Sequence, residues 1–221
     1  MTVPDGTKTA DYIIKVGEVY EAGKNNERNA FWNIFQSTDT AMSYYDTFAY
    51  GRFTDENYFP RFPIRCTNGA SAGARIFYNA TNISDTKVPI YARKTLDSAF
   101  FNCVKLRRVP LLSVEEQTTF ANTFSWCADL EEITFDGTIG QNISFEHCKK
   151  LTRASLDSIR DHLSDSVTGK TCTFSEVAVY WAGFSLSNEE NHTPGVDSGP
   201  MNYDYWYEWC AVKPNWTITL V

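Results

Sequence analysis

The sequence predicts an α/β solenoid: short coils stacked around a parallel sheet, with a helix before them and a helix–strand cap after them. Three observations predict it. The turn pattern F-x-x-(C/A)-x-x-(L/I) occurs at Phe77-x-x-Ala80-x-x-Ile83, Phe100-x-x-Cys103-x-x-Leu106, Phe124-x-x-Cys127-x-x-Leu130 and Phe145-x-x-Cys148-x-x-Leu151, with successive Phe positions 23, 24 and 21 residues apart. That spacing lies within the roughly 20–29-residue period of strand-and-turn coils. Leu106-x-x-Val109-x-Leu111 and Leu130-x-x-Ile133-x-Phe135 follow two of the turns with strand-like apolar spacing. Cys103, Cys127 and Cys148 share one slot with Ala80, so they stack as a buried ladder of small side chains. One coil cannot bury its apolar face alone and needs a neighbour on each side.

In chain order, residues 1–40 are a helical segment. Within 8–36, Ile13, Val16, Tyr20, Gly23, Glu27, Ala30 and Ile34 keep a 3–4 spacing. Gly23 and Glu27 interrupt the apolar seam, and KNNERN marks a break between two shorter helices. This segment is either an anchor through which copies associate or the cover of the first coil.

Residues 41–170 are the solenoid. An aromatic stretch over 41–66 holds Phe48-x-x-Gly51-x-x-Thr54, a degenerate extra repeat, and the loop TNGASAGAR leads into the regular copies. Parallel strands of adjacent coils lie ~4.8 Å apart, which sets Arg107 beside Glu131 and Arg108 beside Glu132. These are either cross-rung ion pairs or part of a ligand-binding stripe that includes Arg108, Glu132 and Thr134. After Leu151 the character changes. Thr152 is an N-cap for the helix RASLDSIRDHLSDS, whose apolar face is Leu156, Ile159 and Leu163.

Residues 171–221 are the cap. TCTFSEVAV reads as a strand, 183–200 as a polar loop and YDYWYEWCAV as a short aromatic helix. Lys213-Pro214-Asn215 is a turn before the closing strand WTITLV. In the aromatic helix Trp206, Trp209 and Cys210 seal the last coil, leaving Tyr203, Tyr205 and Tyr207 as the aromatic ligand candidates of that end.

Composition excludes several function classes. A net charge of −7 and a pI near 5.0 argue against nucleic acid, which needs clustered Lys and Arg to displace counterions. The basic pairs Arg107-Arg108 and Lys149-Lys150 are too small to change that. No apolar run reaches the ~18–20 residues of a membrane span, and MTVPDGTKTADY lacks the basic and apolar regions of a signal peptide. With no secretion signal and a repeat-locked spacing, the six cysteines are expected as thiols. They form no C-x₂₋₄-C pair, so no zinc site is expected.

Nothing in the chain assembles into catalytic machinery, and no catalytic, cofactor-binding or metal-ligating residue is assigned. Gly169-Lys170-Thr171 resembles the end of a phosphate loop, but Ser164 stands where its first Gly belongs. His147 and Cys148 are sequence neighbours, whose side chains point apart on a turning segment. Asp157, Asp161 and Asp165 fall on one helical face as a solvated run beside Arg153 and Arg160. The Asn-x-Ser/Thr sequons at Asn79, Asn82, Asn142, Asn191 and Asn215 read as turn and strand usage.

Two resemblances add to this reading. AFFNCVKLRRVPLL and FSWCADLEEITF resemble the BspA-like leucine-rich repeats of bacterial surface proteins, over roughly residues 76–156. VYEAGKNNERNAFWNIFQ, IGQNISF, LTRASLDSI and NWTITLV resemble proteins encoded by phages and prophages of gut Firmicutes. Together they imply a short leucine-rich-repeat (BspA-like) α/β solenoid on a bacteriophage virion, as a tail or baseplate protein for host recognition or assembly. Its implied partners are other virion proteins, itself, or a host-surface glycan or protein. A bacterial cell-surface adhesin or interaction module is the alternative.

Overall fold

A computed structural model describes residues 63–66, 70–186 and 204–221. The helical segment 1–40, the degenerate repeat at Phe48, Asn191 and Tyr203 lie outside the described residues. The first sheet contains β1 (Ile64–Cys66), β2 (Ile90–Ala92), β3 (Arg108–Val114) and β4 (Glu132–Gly137), all parallel and in that order. The second contains β5 (Ile143–Phe145), β6 (Lys170–Phe174) and β9 (Trp216–Leu220), also parallel. Helices α1 (Arg153–Asp161), α2 (Glu176–Trp181) and α3 (Trp206–Ala211) follow β5, β6 and the short pair β7 (Phe184–Ser185) and β8 (Asp204–Tyr205). No described helix is long and apolar enough to cross a membrane.

The first three of the four repeated turns bend because each holds two residues in the left-handed region. Arg75, Ser98 and Asn122 stand two places before the Phe, and Asn79, Asn102 and Trp126 two places after it, with φ between 55° and 65°. Asn is the non-glycine residue most at home there, so its recurrence follows from backbone sterics. The turns also pair with one another. Phe77 N–H donates to Ala99 O at 2.8 Å and Phe100 N–H to Thr123 O at 3.0 Å. Asn79 and Asn102 donate to the carbonyls of Phe101 and Ser125, both at 2.8 Å. Buried turn backbone thus meets the need for partners that strands meet with a ladder.

Two side-chain ladders run through the stack. Phe77, Phe100, Phe124, Phe145 and Phe174 are fully buried, with successive ring centroids 5.4, 5.6, 4.9 and 5.8 Å apart and near-parallel planes. Each such contact adds about 0.5–1.5 kcal/mol to the burial of the ring. Beside them the Sγ atoms of Cys103, Cys127 and Cys148 donate to Phe77 O, Phe100 O and Phe124 O at 3.1, 3.1 and 3.6 Å. All six cysteines are free. The slot shared by Cys and Ala therefore holds a thiol ladder, each sulfur tied to the rung before it.

Four expectations need correction. In β3 the buried residue is Leu112 and not Leu111, because the register with β4 shifts between Val109 and Leu112. Pro110 sits in that gap, and a proline without an N–H suits a bulge where ladder pairing lapses. The EVAV of the expected strand TCTFSEVAV is helical in α2, burying Ala178 and Val179; short apolar runs do not separate the two periods. Helix α1 stops at Asp161 with His162 as its C-cap, so Leu163 pairs with Ile139 in a bridge. Asp165 consequently leaves the Asp157–Asp161 face and binds Lys213 at 2.8 Å instead.

Candidate functional site

The solvent face of the first sheet follows from its alternation. In β4, Ile133 and Phe135 are buried while Glu132, Thr134 and Asp136 are exposed. Register carries one outward row across the strands: Arg65, Tyr91, Ser113 and Asp136. The Arg65 guanidinium lies 4.6 Å over the Tyr91 ring, and Ser113 Oγ donates to Asp136 Oδ2 at 3.0 Å. A second row brings Arg108 beside Glu132 at 3.3 Å, both more than half exposed. Arg107 donates to both Glu131 oxygens, at 3.3 and 2.7 Å. That hydrogen bond, more than the Glu131 charge alone, holds the guanidinium more firmly protonated than usual. Arg93 pairs with Glu115 at 3.1 Å. These pairs lie in water, so they add little to stability and mainly fix side-chain direction.

A recess of about 290 Å³ opens at the start of the strands, lined by Ser84, Asp85, Arg107, Arg108, Glu131 and Glu132 among others. A larger groove of about 650 Å³ lies at their far ends, between Glu116, Gly137, His162, Ser164 and Lys213. Its polar atoms hold one another: Ser164 Oγ donates to Glu116, and Lys213 Nζ to Leu163 O. Among the described residues no group of His, Cys, Asp and Glu could hold a metal ion.

The structure therefore brings together three of the expected residues, Arg108, Glu132 and Thr134, on one face. Tyr205 and Tyr207 lie apart on β8 and α3, half-buried, with ring centroids 5.6 Å apart. The other face of α3 seals the stack's Phe ladder, because Trp206 and Trp209 meet Phe174 edge-on at 5.7 Å. His147 stacks on Trp126 at 4.3 Å. Asn142 and Asn215 spend their side-chain amides on backbone: Asn142 Oδ1 accepts from Thr171 N–H, and Asn215 Nδ2 donates to Ser164 O and Val167 O.

Sequence reasoning missed Arg65 and Tyr91, because the strands that carry them lie outside the four strict turns. It also missed the outer ladder Tyr78–Phe101, stacked at 5.0 Å, although its 23-residue interval equals that of the inner Phe pair.

The thiols are held in their protonated, weakly nucleophilic form. Burial pushes Cys103, Cys148 and Cys172 well up and moves Cys127 and Cys210 up to about 12, so almost no thiolate exists at neutral pH. At pH 8 in native buffer, iodoacetamide is expected to leave Cys103, Cys127 and Cys148 unmodified over hours and to alkylate them on addition of guanidinium. Mass spectrometry reads the sites, and fast native modification would place those sulfurs outside.

No curated protein and no solved structure matches the chain. The family model described as BspA type leucine rich repeat region matches residues 63–176 in six copies. That span covers β1 through β6 together with α1, two copies beyond the four strict turns. With the parallel strands, the inward Phe and thiol ladders and a matched span of more than half its length, the chain belongs to the BspA-type leucine-rich repeat family.

Proposed function

We propose that the solvent face of β1–β4 is a non-enzymatic recognition surface for a protein or glycan displayed on a cell. One observation supports this above the others. Arg65, Tyr91, Ser113 and Asp136, with Arg108, Glu132 and Thr134, project in fixed register from strands whose opposite face is packed core. Such a face presents preorganised charge and aromatic area at little entropic cost. Leucine-rich repeats of this type occur in surface proteins and suit protein interaction.

The setting we infer is a phage tail or baseplate, on the resemblance of VYEAGKNNERNAFWNIFQ, IGQNISF, LTRASLDSI and NWTITLV alone. A bacterial cell-surface adhesin is the second setting, favoured by the family itself. Within either, we take 1–40 as the helical anchor or cover, 41–170 as the recognition solenoid and 171–221 as the unit that closes it. Peptide mass spectrometry of purified particles against cell-envelope fractions separates the two settings.

The recognition reading is tested by binding of labelled protein to gut Firmicutes cells. Arg108→Ala combined with Glu132→Ala is expected to weaken saturable binding at least tenfold while the melting temperature stays within a few degrees. Unchanged binding, or a loss only with Tyr205→Ala and Tyr207→Ala, would move recognition off the strand face.

A further inference from the structure

The two sheets finish in different ways. At the outer edge of β4, helix α1 takes the place of another strand. Ser155 Oγ accepts from Ile133 N–H at 3.0 Å and donates to Glu131 O at 2.9 Å. Ser158 Oγ accepts from Phe135 N–H at 2.9 Å. These hydroxyls consume the donors that a further strand would have used, which blunts the edge.

Among the described residues strand β9 has no such block. It pairs with β6 along its whole length, and among the described residues no strand pairs with its other edge. Its inward residues show the same incompleteness. Ile143, Phe145, Cys172 and Phe174 in β5 and β6 are 0–3% exposed, whereas Ile218 and Leu220, the register partners of Cys172 and Phe174, are only half-buried. Val221 is 62% exposed, and its carbonyl accepts from Glu176 N–H, which sets the start of α2 beside it. Helix α2 turns Val177, Tyr180 and Trp181 to solvent, 45, 63 and 76% exposed and spaced i, i+3, i+4 on one face. Residues 216–221 hold no charged side chain and no proline, the usual devices that keep an edge strand single.

We propose that β9 pairs with the β9 of a second copy of this chain, antiparallel about a two-fold axis, so that Ile218 and Leu220 of each copy cover those of the other. A two-fold contact sets each surface against itself, so a charged edge would repel its own image. β9 carries no charged side chain in a chain of net charge −7, so self-pairing along it meets no like-charge penalty between strand side chains. Area sets the strength: an edge pairing of this length buries less than the roughly 1,200 Å² at the low end of stable interfaces. The association is thus a reversible one and would give a recognition surface two copies per particle of protein.

Sedimentation equilibrium of the full chain over a wide concentration range tests this. The wild type is expected to pass from monomer to dimer. Thr217→Lys with Val221→Lys, both at exposed positions, is expected to weaken the dimer at least tenfold without lowering the melting temperature. As a second measurement, Thr219→Cys, which the two-fold sets opposite its own copy, is expected to give a disulfide-linked dimer under mild oxidation. A chain that stays monomeric throughout, as when its own residues 1–62 close the edge, overturns the proposal. So does a dimer indifferent to the lysine pair, which would place the contact elsewhere, for instance on the helical segment 1–40.

Discussion

Leu130→Asp is expected to abolish the cooperative unfolding transition of the solenoid. Leu130 is fully buried, in the slot that Leu106 and Leu151 occupy one coil away on either side. Truncating a buried leucine alone costs about 3–5 kcal/mol through lost transfer energy and the cavity left behind. An aspartate adds the cost of a buried carboxylate without a partner, several kcal/mol more, or it stays protonated at a comparable cost. Against a total stability of roughly 5–15 kcal/mol, that sum unfolds the protein. Damage also spreads, because each coil's stability includes its interfaces with the next. Glu132→Ala, two residues on and exposed, is expected to change stability by less than about 0.5 kcal/mol. Far-UV circular dichroism and a thermal melt read both variants. A folded Leu130→Asp protein, or equal damage from the two substitutions, would invert the assignment of inward and outward positions.

That contrast shows which parts of the fold are legible in the sequence. Inward positions recur at fixed intervals because a stack forces the same side chain to meet its own kind on the next rung; Phe77, Phe100, Phe124 and Phe145 are readable for that reason. The ion pairs Arg107–Glu131 and Arg108–Glu132 follow from the same interval. Legibility ends where the interval does. The bulge at Pro110 shifts the core from Leu111 to Leu112, an offset that a count of residues cannot register. Helix α2 hides because SEVAV suits either period when it is only one turn long. The serines of α1 look like ordinary polar helix positions until β4 is placed beside them. On the candidate site, Arg108, Glu132 and Thr134 were readable from one strand pair, whereas Arg65 and Tyr91 needed the whole sheet.

Lys213→Met is expected to lower the melting temperature by roughly 2–12 °C, an effect that the exposed partner of Lys213 does not foretell. Its side chain is 9% exposed, while that of Asp165, 2.8 Å from Nζ, is 81% exposed. Water screens such a carboxylate, so the ion pair itself contributes less than about 1 kcal/mol. The stronger contact is Nζ to Leu163 O at 2.7 Å, inside the protein. Two neighbours act alike: Asn215 Nδ2 donates to Ser164 O and Val167 O, and Trp216 Nε1 to Ser164 O at 2.8 Å. The segment 213–216 thereby supplies donors to the carbonyls of the loop between α1 and β6, which has left helical pairing and not yet entered the sheet. Removing the ammonium leaves a buried carbonyl without that donor, costing about 1–3 kcal/mol, or several degrees at roughly 2–4 °C per kcal/mol for a chain of this size. Asp165→Asn keeps the carbonyl contact and is expected to shift the melt by no more than a few degrees. Equal losses from the two variants would mean that the ion pair, and not the carbonyl, holds the loop.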